Sequence, residues 1–245
     1  EDGEWSPTTV GTPQGAVISP LYANVFLHYV LDLWINAWRQ RHARGEVMIV
    51  RYADDFVIGF REESDARRCL ADLKERLAGF GLELHPEKTR LIEFGRYAEE
   101  RRAKRGEGLP ETFDFLGFTH ISGKTRRGDF TIHRKTARKK FQAKLADLKA
   151  KLKRKMHAGL AVTGAWLQSV IRGWYRYYAV PGNYPRLQQF RDALQKLWLR
   201  ALRRRSQRGR RFPWAKFARI CKRWLPSPKI LHPYPNVRFA GQHPR

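Results

Sequence analysis

The chain of 245 residues has 42% hydrophobic side chains, enough for one large core or two small ones. No apolar run reaches the roughly 18 residues of a membrane span, and the opening EDGEWSPTTV has no signal-peptide pattern. The two cysteines, Cys69 and Cys221, make neither a disulfide framework nor a zinc spacing, so the expected setting is reducing and cytoplasmic, with no membrane.

The net charge is +26, from 49 basic and 23 acidic residues, and it is unevenly spread. Residues 1–123 hold 16 Lys/Arg and 20 Asp/Glu, whereas residues 124–245 hold 33 and 3. An acid-rich half joined to a strongly basic half points to a chemistry-bearing region followed by a polyanion-holding one.

In chain order, GTPQGAVISP (11–20) is punctuated by Gly and Pro, and Ser19-Pro20 predicts a helix start. Leu21, Phe26, Leu27, Val30, Leu31, Trp34, Ile35 and Trp38 keep a helical period to about residue 42. Two Val/Ile/Phe-rich runs, 47–50 and 56–60, flank Tyr52-Ala53-Asp54-Asp55 and predict a β-hairpin tipped by acids. Ser64-Asp65 predicts the cap of a second helix, with Cys69, Leu70, Leu73 and Leu77 on one face. Short strands are expected at 82–84 and 89–94, a charged loop at 96–111, and a strand pair at 113–122 and 129–134. Beyond residue 134 the pattern is helical, with apolar stripes Phe141–Met156, Trp166–Tyr178 and Leu187–Ala201. The expected class is α+β: an antiparallel sheet with helices, then an all-helical region.

The segment VMIVRYADDFVIGF (47–60) places two adjacent carboxylates in an apolar surrounding. Burying them is costly unless they are paired or metal-bound. Oxygen-only, doubly negative ligation suits Mg²⁺, which accepts a few carboxylates plus water and substrate phosphate. The alternative is a pair of turn-forming aspartates without chemistry. A glycosidase-type acid/base pair fits poorly, because its carboxyls stand on separate elements about 5 Å or more apart.

These residues resemble the reverse transcriptases encoded by bacterial group II introns. Tyr52-Ala53-Asp54-Asp55 resembles the YADD box of the polymerase palm, and GTPQGAVISPLYANVFLHYVLD (11–32) the block before it. GLELHPEKT (81–89) is similar to the block after it, and FDFLGF (113–118) to the primer-grip strand. IRGWYRYY (171–178) and HPYPNVRF (232–239) are similar to the maturase, or thumb, segment and the terminus of bacterial members. The resemblance implies an RNA-directed DNA polymerase with a partial palm over 1–123, a helical thumb/maturase domain over 124–211 and a basic, aromatic tail over 212–245.

It also implies roles. Asp54 and Asp55 would be catalytic metal ligands for Mg²⁺, and Lys88 a proton donor to departing pyrophosphate. Gln14, Gly15, Tyr52 and Ala53 would bind template and incoming nucleotide, and Phe115, Leu116 and Gly117 would grip the primer. The implied partners are an RNA template, intron RNA, a DNA primer and dNTPs. The family's metal site has a further carboxylate in a block upstream of GTPQG, so the resemblance implies an N-terminally truncated chain, from a truncated reading frame, a split gene or a decayed copy, with a separate N-terminal fingers/palm half as one potential partner.

In the basic half, Lys139, Lys140, Lys144, Lys151 and Arg154 crowd one amphipathic helix, and Arg203, Arg204 and Arg205 extend the track. Outward-facing cations of this density predict salt-sensitive binding to RNA phosphates. Trp166, Trp174 and Tyr178 read as core, while Tyr177 and Tyr184 are candidates for base stacking. A second reading therefore stands beside the polymerase: a non-catalytic, maturase-like protein that stabilises folded intron RNA.

Overall fold

The computed structural model of the chain describes residues 17–235 and 237. By packing, the chain forms two units, residues 1–92 and 93–245. Of the predicted blocks, residues 11–16 of GTPQGAVISPLYANVFLHYVLD, with Gln14 and Gly15, and residues 236, 238 and 239 of HPYPNVRF lie outside the described residues.

In the first unit, α1 (Ser19–Leu27), a π-helical turn (His28–Asp32) and α2 (Leu33–Arg41) follow one another without a break. The predicted helix is therefore present, with a π-turn inside it. Such turns are rare and tend to occur near functional sites. No residue of α1 is buried, whereas Val30, Leu31, Ile35 and Trp38 are. Strands β1 (Val47–Tyr52) and β2 (Asp55–Phe60) form an antiparallel hairpin, with Val47 opposite Phe60 and Tyr52 opposite Asp55. Helix α3 (Glu63–Ala78) closes the unit.

Period two decides what this hairpin buries. Val47, Ile49, Ile58 and Phe60 face a core completed by Ile35, Trp38 and Cys69. Val30, Leu31, Leu73 and Leu77 continue that layer. Each such side chain contributes about 1.5–3 kcal/mol when fully buried. Trp38 also donates its indole N–H to Asp72 at 2.7 Å, so the ring buries without an orphaned donor.

Two local expectations are corrected here. Ser64 and Asp65 do not cap α3, which begins at Glu63 without a side-chain cap. Asp65 is buried, and its carboxylate accepts the backbone N–H groups of Arg44 (2.7 Å) and Gly45 (3.1 Å) in the turn before β1. Residues 82–84 and 89–94 do not form strands. Leu82 and Leu84 pack on the core as an alternating pair, with no neighbouring strand to form a ladder.

In the second unit, the expected charged loop contains a short helix, α4 (Ala98–Lys104), supported by the Lys104–Glu100 pair one turn apart. The predicted strand over 113–122 is two strands, β3 (Phe113–Phe115) and β4 (Phe118–Lys124), folded back at Leu116-Gly117. Strand β5 (Phe130–Thr136) pairs antiparallel with β4, giving the order β3-β4-β5.

The helical region comprises α5 (Arg138–Arg154), α6 (Leu160–Tyr178), α7 (Tyr184–Arg203), the short α8 (Gln207–Arg210) and α9 (Trp214–Trp224). Its core contains Leu148, Leu152, Leu167, Ile171, Trp174, Leu187, Phe190, Leu194, Trp198 and Phe217. Trp174 lies flat on Phe190, with ring centroids 4.5 Å apart. The sheet is tied to these helices by Asn183, fully buried between α6 and α7. Its carbonyl accepts the N–H of Thr136, and its amide donates to the Thr136 hydroxyl and the Tyr178 carbonyl.

Candidate active site

The β1–β2 connection has only two residues, Ala53 and Asp54. Ala53 has φ +54°, and Asp54 is not among the positive-φ residues, which is the II′ hairpin pattern. That first position normally takes glycine, so an alanine there holds backbone strain at the tip.

Arg51 holds this tip in place. Its Nε and Nη2 donate to the two carboxylate oxygens of Asp32 at 2.8 and 2.6 Å. Its Nη1 donates to Asn24 and to the Ala53 carbonyl, each at 2.9 Å. The guanidinium thus joins α1, the π-turn and the hairpin loop in one bidentate arrangement. The pairing holds the Asp32 carboxyl below its ordinary range, chiefly through the Arg51 hydrogen bonds and against the effect of burial. The same pairing raises the pKa of the Arg51 guanidinium. Sequence reasoning passed over Arg51. The available signal was a single cation inside an apolar strand, a placement that needs a partner.

Asp54 and Asp55 are exposed, contrary to the burial expected from their apolar flanks. The outer hairpin face is itself open, with Met48 60% and Tyr52 67% exposed. Neither carboxylate has a hydrogen-bond or ion-pair partner among the described residues. Both are free to take an external cation, and the nearest strand cation, Arg51, is spent on Asp32. Among the described residues no cluster of three or more His, Cys, Asp or Glu could hold a metal. Two adjacent carboxylates still fit Mg²⁺ in its usual form, completed by water and substrate phosphate. Lys88 is exposed in the turn 86–88 and shares no bond with either aspartate. Gln14 and Gly15 lie outside the described residues.

The second tight turn carries the predicted primer-grip residues. Leu116 (φ +48°) and Gly117 (φ +76°) form a two-residue loop with both φ positive, the I′ pattern. Tyr177 donates its hydroxyl to the Leu116 carbonyl at 2.8 Å, and Ala137 donates its N–H to the Gly117 carbonyl at 2.9 Å. A Cβ at Gly117 would sit 2.9 Å from the Tyr178 hydroxyl. Phe115 is half-buried in β3. The ring of Tyr177, predicted to stack on bases, lies against Phe118 at 5.7 Å, leaving half its surface exposed.

Residues 1–120 match the family model described as reverse transcriptase (RNA-dependent DNA polymerase). This half of the chain is similar to reverse transcriptases. The match takes in the Ala53 hairpin, Lys88 and the Leu116-Gly117 turn. The chain is also 29% identical over 79 residues to the Gag-Pro-Pol polyprotein of Mason-Pfizer monkey virus. That alignment covers 32% of this chain and 4% of the polyprotein, so the chain spans a small part of its relative's length.

Beyond the matched residues, α5 exposes Lys139, Lys140, Lys149, Lys151, Lys153 and Arg154 around its buried Leu148 and Leu152. Lys151 and the half-buried Lys144 both approach Asp147, at 2.9 and 3.9 Å, and the pairing lowers the Asp147 pKa. Arg203 donates to the Phe212 carbonyl, Arg204 is exposed, and Arg205 is partly buried with its Nε unpartnered. No helix among the described residues is long and apolar enough to cross a membrane.

Proposed function

We propose that the chain is the palm and thumb of a group II intron-type reverse transcriptase, with palm residues over 1–123, a thumb/maturase domain over 124–211 and a basic tail over 212–245. The observation that carries this reading is the hairpin tip. It presents two exposed carboxylates, Asp54 in the clamped two-residue loop and Asp55 at the start of β2, neither with a partner among the described residues, within residues that match the reverse transcriptase family.

In this reading Asp54 and Asp55 would hold Mg²⁺. Bound there, Mg²⁺ would supply activation of the primer 3′-hydroxyl and neutralisation of charge on pyrophosphate. The hydroxyl oxygen bonds to the α-phosphorus, the bond to the β-phosphate bridge breaks, and pyrophosphate leaves. The hydroxyl proton passes to water, and Lys88 gives a proton to the leaving group. Ala53, with only a methyl group, leaves room for the primer end. Gln14 and Gly15 position the template base and the nucleotide, and the Leu116-Gly117 turn supports the primer. A third carboxylate would come from outside the described residues or from a separate fingers half. The exposed lysines of α5 hold the phosphates of template and intron RNA.

The test is Mg²⁺-dependent primer extension on an RNA template, with Asp54→Ala as control. Extension that disappears in the control supports the polymerase. Absence of extension, with tight and salt-sensitive RNA binding in the same tubes, supports instead the maturase-like reading, in which the basic helices stabilise intron RNA.

A further inference from the structure

The second unit contains a cavity of about 310 Å³ between α7, α9 and the segment that follows α9. Arg191 and Gln195 of α7 line it together with Trp214, Cys221 and Lys222 of α9 and with Ser227. No carboxylate lines it. The nearby Asp192 accepts the Gln188 amide at 2.8 Å.

The lining is built rather than incidental. Arg191 is anchored through Nε to the Leu225 carbonyl at 3.1 Å, and its terminal nitrogens have no partner among the described residues. Lys222 is exposed and has no partner among the described residues. Gln195 is only 8% exposed, yet its carboxamide has no hydrogen-bond partner among the described residues. Its amide atoms still reach solvent, so a ligand edge can bond to them without displacing a protein partner. Trp214 is 52% exposed, and its one ring neighbour among the described residues, Phe217, is tilted by 54° rather than stacked on it. The Cys221 thiol is buried and pushed up to about 11, which keeps it neutral and makes the cavity a place for binding rather than covalent chemistry.

An open indole face, a free carboxamide, a hydroxyl and two cations describe a planar heteroaromatic ligand with an anionic end. The volume is at the small end of ligand pockets. It suits one nucleotide and is too small for a duplex. We propose that this cavity holds a single nucleoside monophosphate unit, its base on Trp214 and facing Gln195, its phosphate between Arg191 and Lys222. The unit is either a nucleotide splayed from single-stranded RNA or a free mononucleotide. The RNA source rests on the reading of the helical half as RNA-binding.

The test uses the full chain and titration calorimetry with AMP, GMP, CMP and UMP, beside ribose 5-phosphate and a tetraglutamate peptide. At least one mononucleotide should bind, ribose 5-phosphate and the peptide at least tenfold more weakly. Trp214→Ala should weaken binding by about tenfold, as for loss of one stacked base, and the surface variant Lys222→Ala should weaken it without affecting folding. A parallel arm crosslinks 4-thiouridine-substituted single-stranded RNA and maps the modified peptides. Crosslinks at Trp214–Lys222 identify RNA as the source; mononucleotide binding without them identifies the free nucleotide. No mononucleotide binding, or equal binding of the acidic peptide, overturns the proposal. Salt-sensitive RNA binding through α5 would then stand on its own.

Discussion

Arg51 and Asp32 are joined by two parallel hydrogen bonds, Nε to Oδ1 at 2.8 Å and Nη2 to Oδ2 at 2.6 Å. The pair is mostly shielded, with side-chain exposures of 13% and 28%. It links the π-turn to the strand that ends at the Ala53-Asp54 loop. Asp32 is thereby committed to Arg51, with His28 as a longer contact at 3.4 Å, and is not a spare ligand for a metal at the hairpin tip.

Asp32→Asn should therefore destabilise the protein by about 2 kcal/mol at neutral pH, the worth of hydrogen bonds to a charged group. The folded pKa of Asp32 lies below that of the unfolded chain, with the Arg51 hydrogen bonds as the main cause. The stabilisation is then fully present above about pH 4 and is lost as pH falls through the folded value. Urea unfolding of the wild type and Asp32→Asn between pH 7 and pH 3 should show the difference narrowing on acidification. A constant difference would mean that Asp32 acts through packing alone.

Ala53 conflicts with its own backbone. An L-residue at φ +54° costs roughly 1–2 kcal/mol relative to the ordinary helical region. Glycine removes that cost but adds back about 0.5–1 kcal/mol of unfolded-state entropy. Ala53→Gly should accordingly stabilise the protein by about 0.5 kcal/mol or more, and Ala53→Val should destabilise it. Midpoints of urea unfolding at unchanged slope provide the measurement. Destabilisation by glycine would show that the loop conformation is not the strained one described.

The Asn183 side chain makes three hydrogen bonds and has no exposure, and two of the bonds go to Thr136 at the end of β5. Asn183→Ala leaves the Thr136 N–H and the Tyr178 carbonyl buried without this partner. A loss of about 2–4 kcal/mol is expected. Hydrogen exchange should show the Thr136 amide losing protection by a larger factor than amides in the middle of α5. An equal loss at both would show only general destabilisation.

The helices were legible because their apolar stripes keep a period of 3.6 over many residues, as in Leu187, Phe190, Leu194 and Trp198, all buried on α7. The β1–β2 hairpin was legible from two Val/Ile runs around a short polar tip. What escaped depends on contacts distant in sequence or on single backbone angles. Leu116-Gly117 carries no Asn-Gly or Asp-Gly signal, so TFDFLGFTHI reads as one strand. Leu82 and Leu84 alternate like a strand, but strand identity also needs a neighbour to pair with. Asp65 looks like a local cap, yet the turn at Arg44-Gly45 competes for its carboxylate. The aspartates at the tip read as buried because both flanks are apolar, while the pleat leaves one face of those flanks open.

The cations of α5 differ in availability, and that difference is measurable. Lys144 and Lys151 share Asp147, so part of their charge is already compensated. Lys139, Lys140, Lys149 and Lys153 are exposed without a carboxylate partner among the described residues. For single-stranded RNA each lost phosphate contact lowers the slope of log affinity against log salt by about 0.7. Replacing Lys139 and Lys140 by Gln should reduce the slope by up to about 1.4, whereas Lys144→Gln with Lys151→Gln should reduce it less and also free Asp147 as a repelling charge. Filter-binding or anisotropy titrations over a range of salt concentrations distinguish the two pairs. An unchanged slope for Lys139→Gln/Lys140→Gln would place the RNA on another face of the helical half.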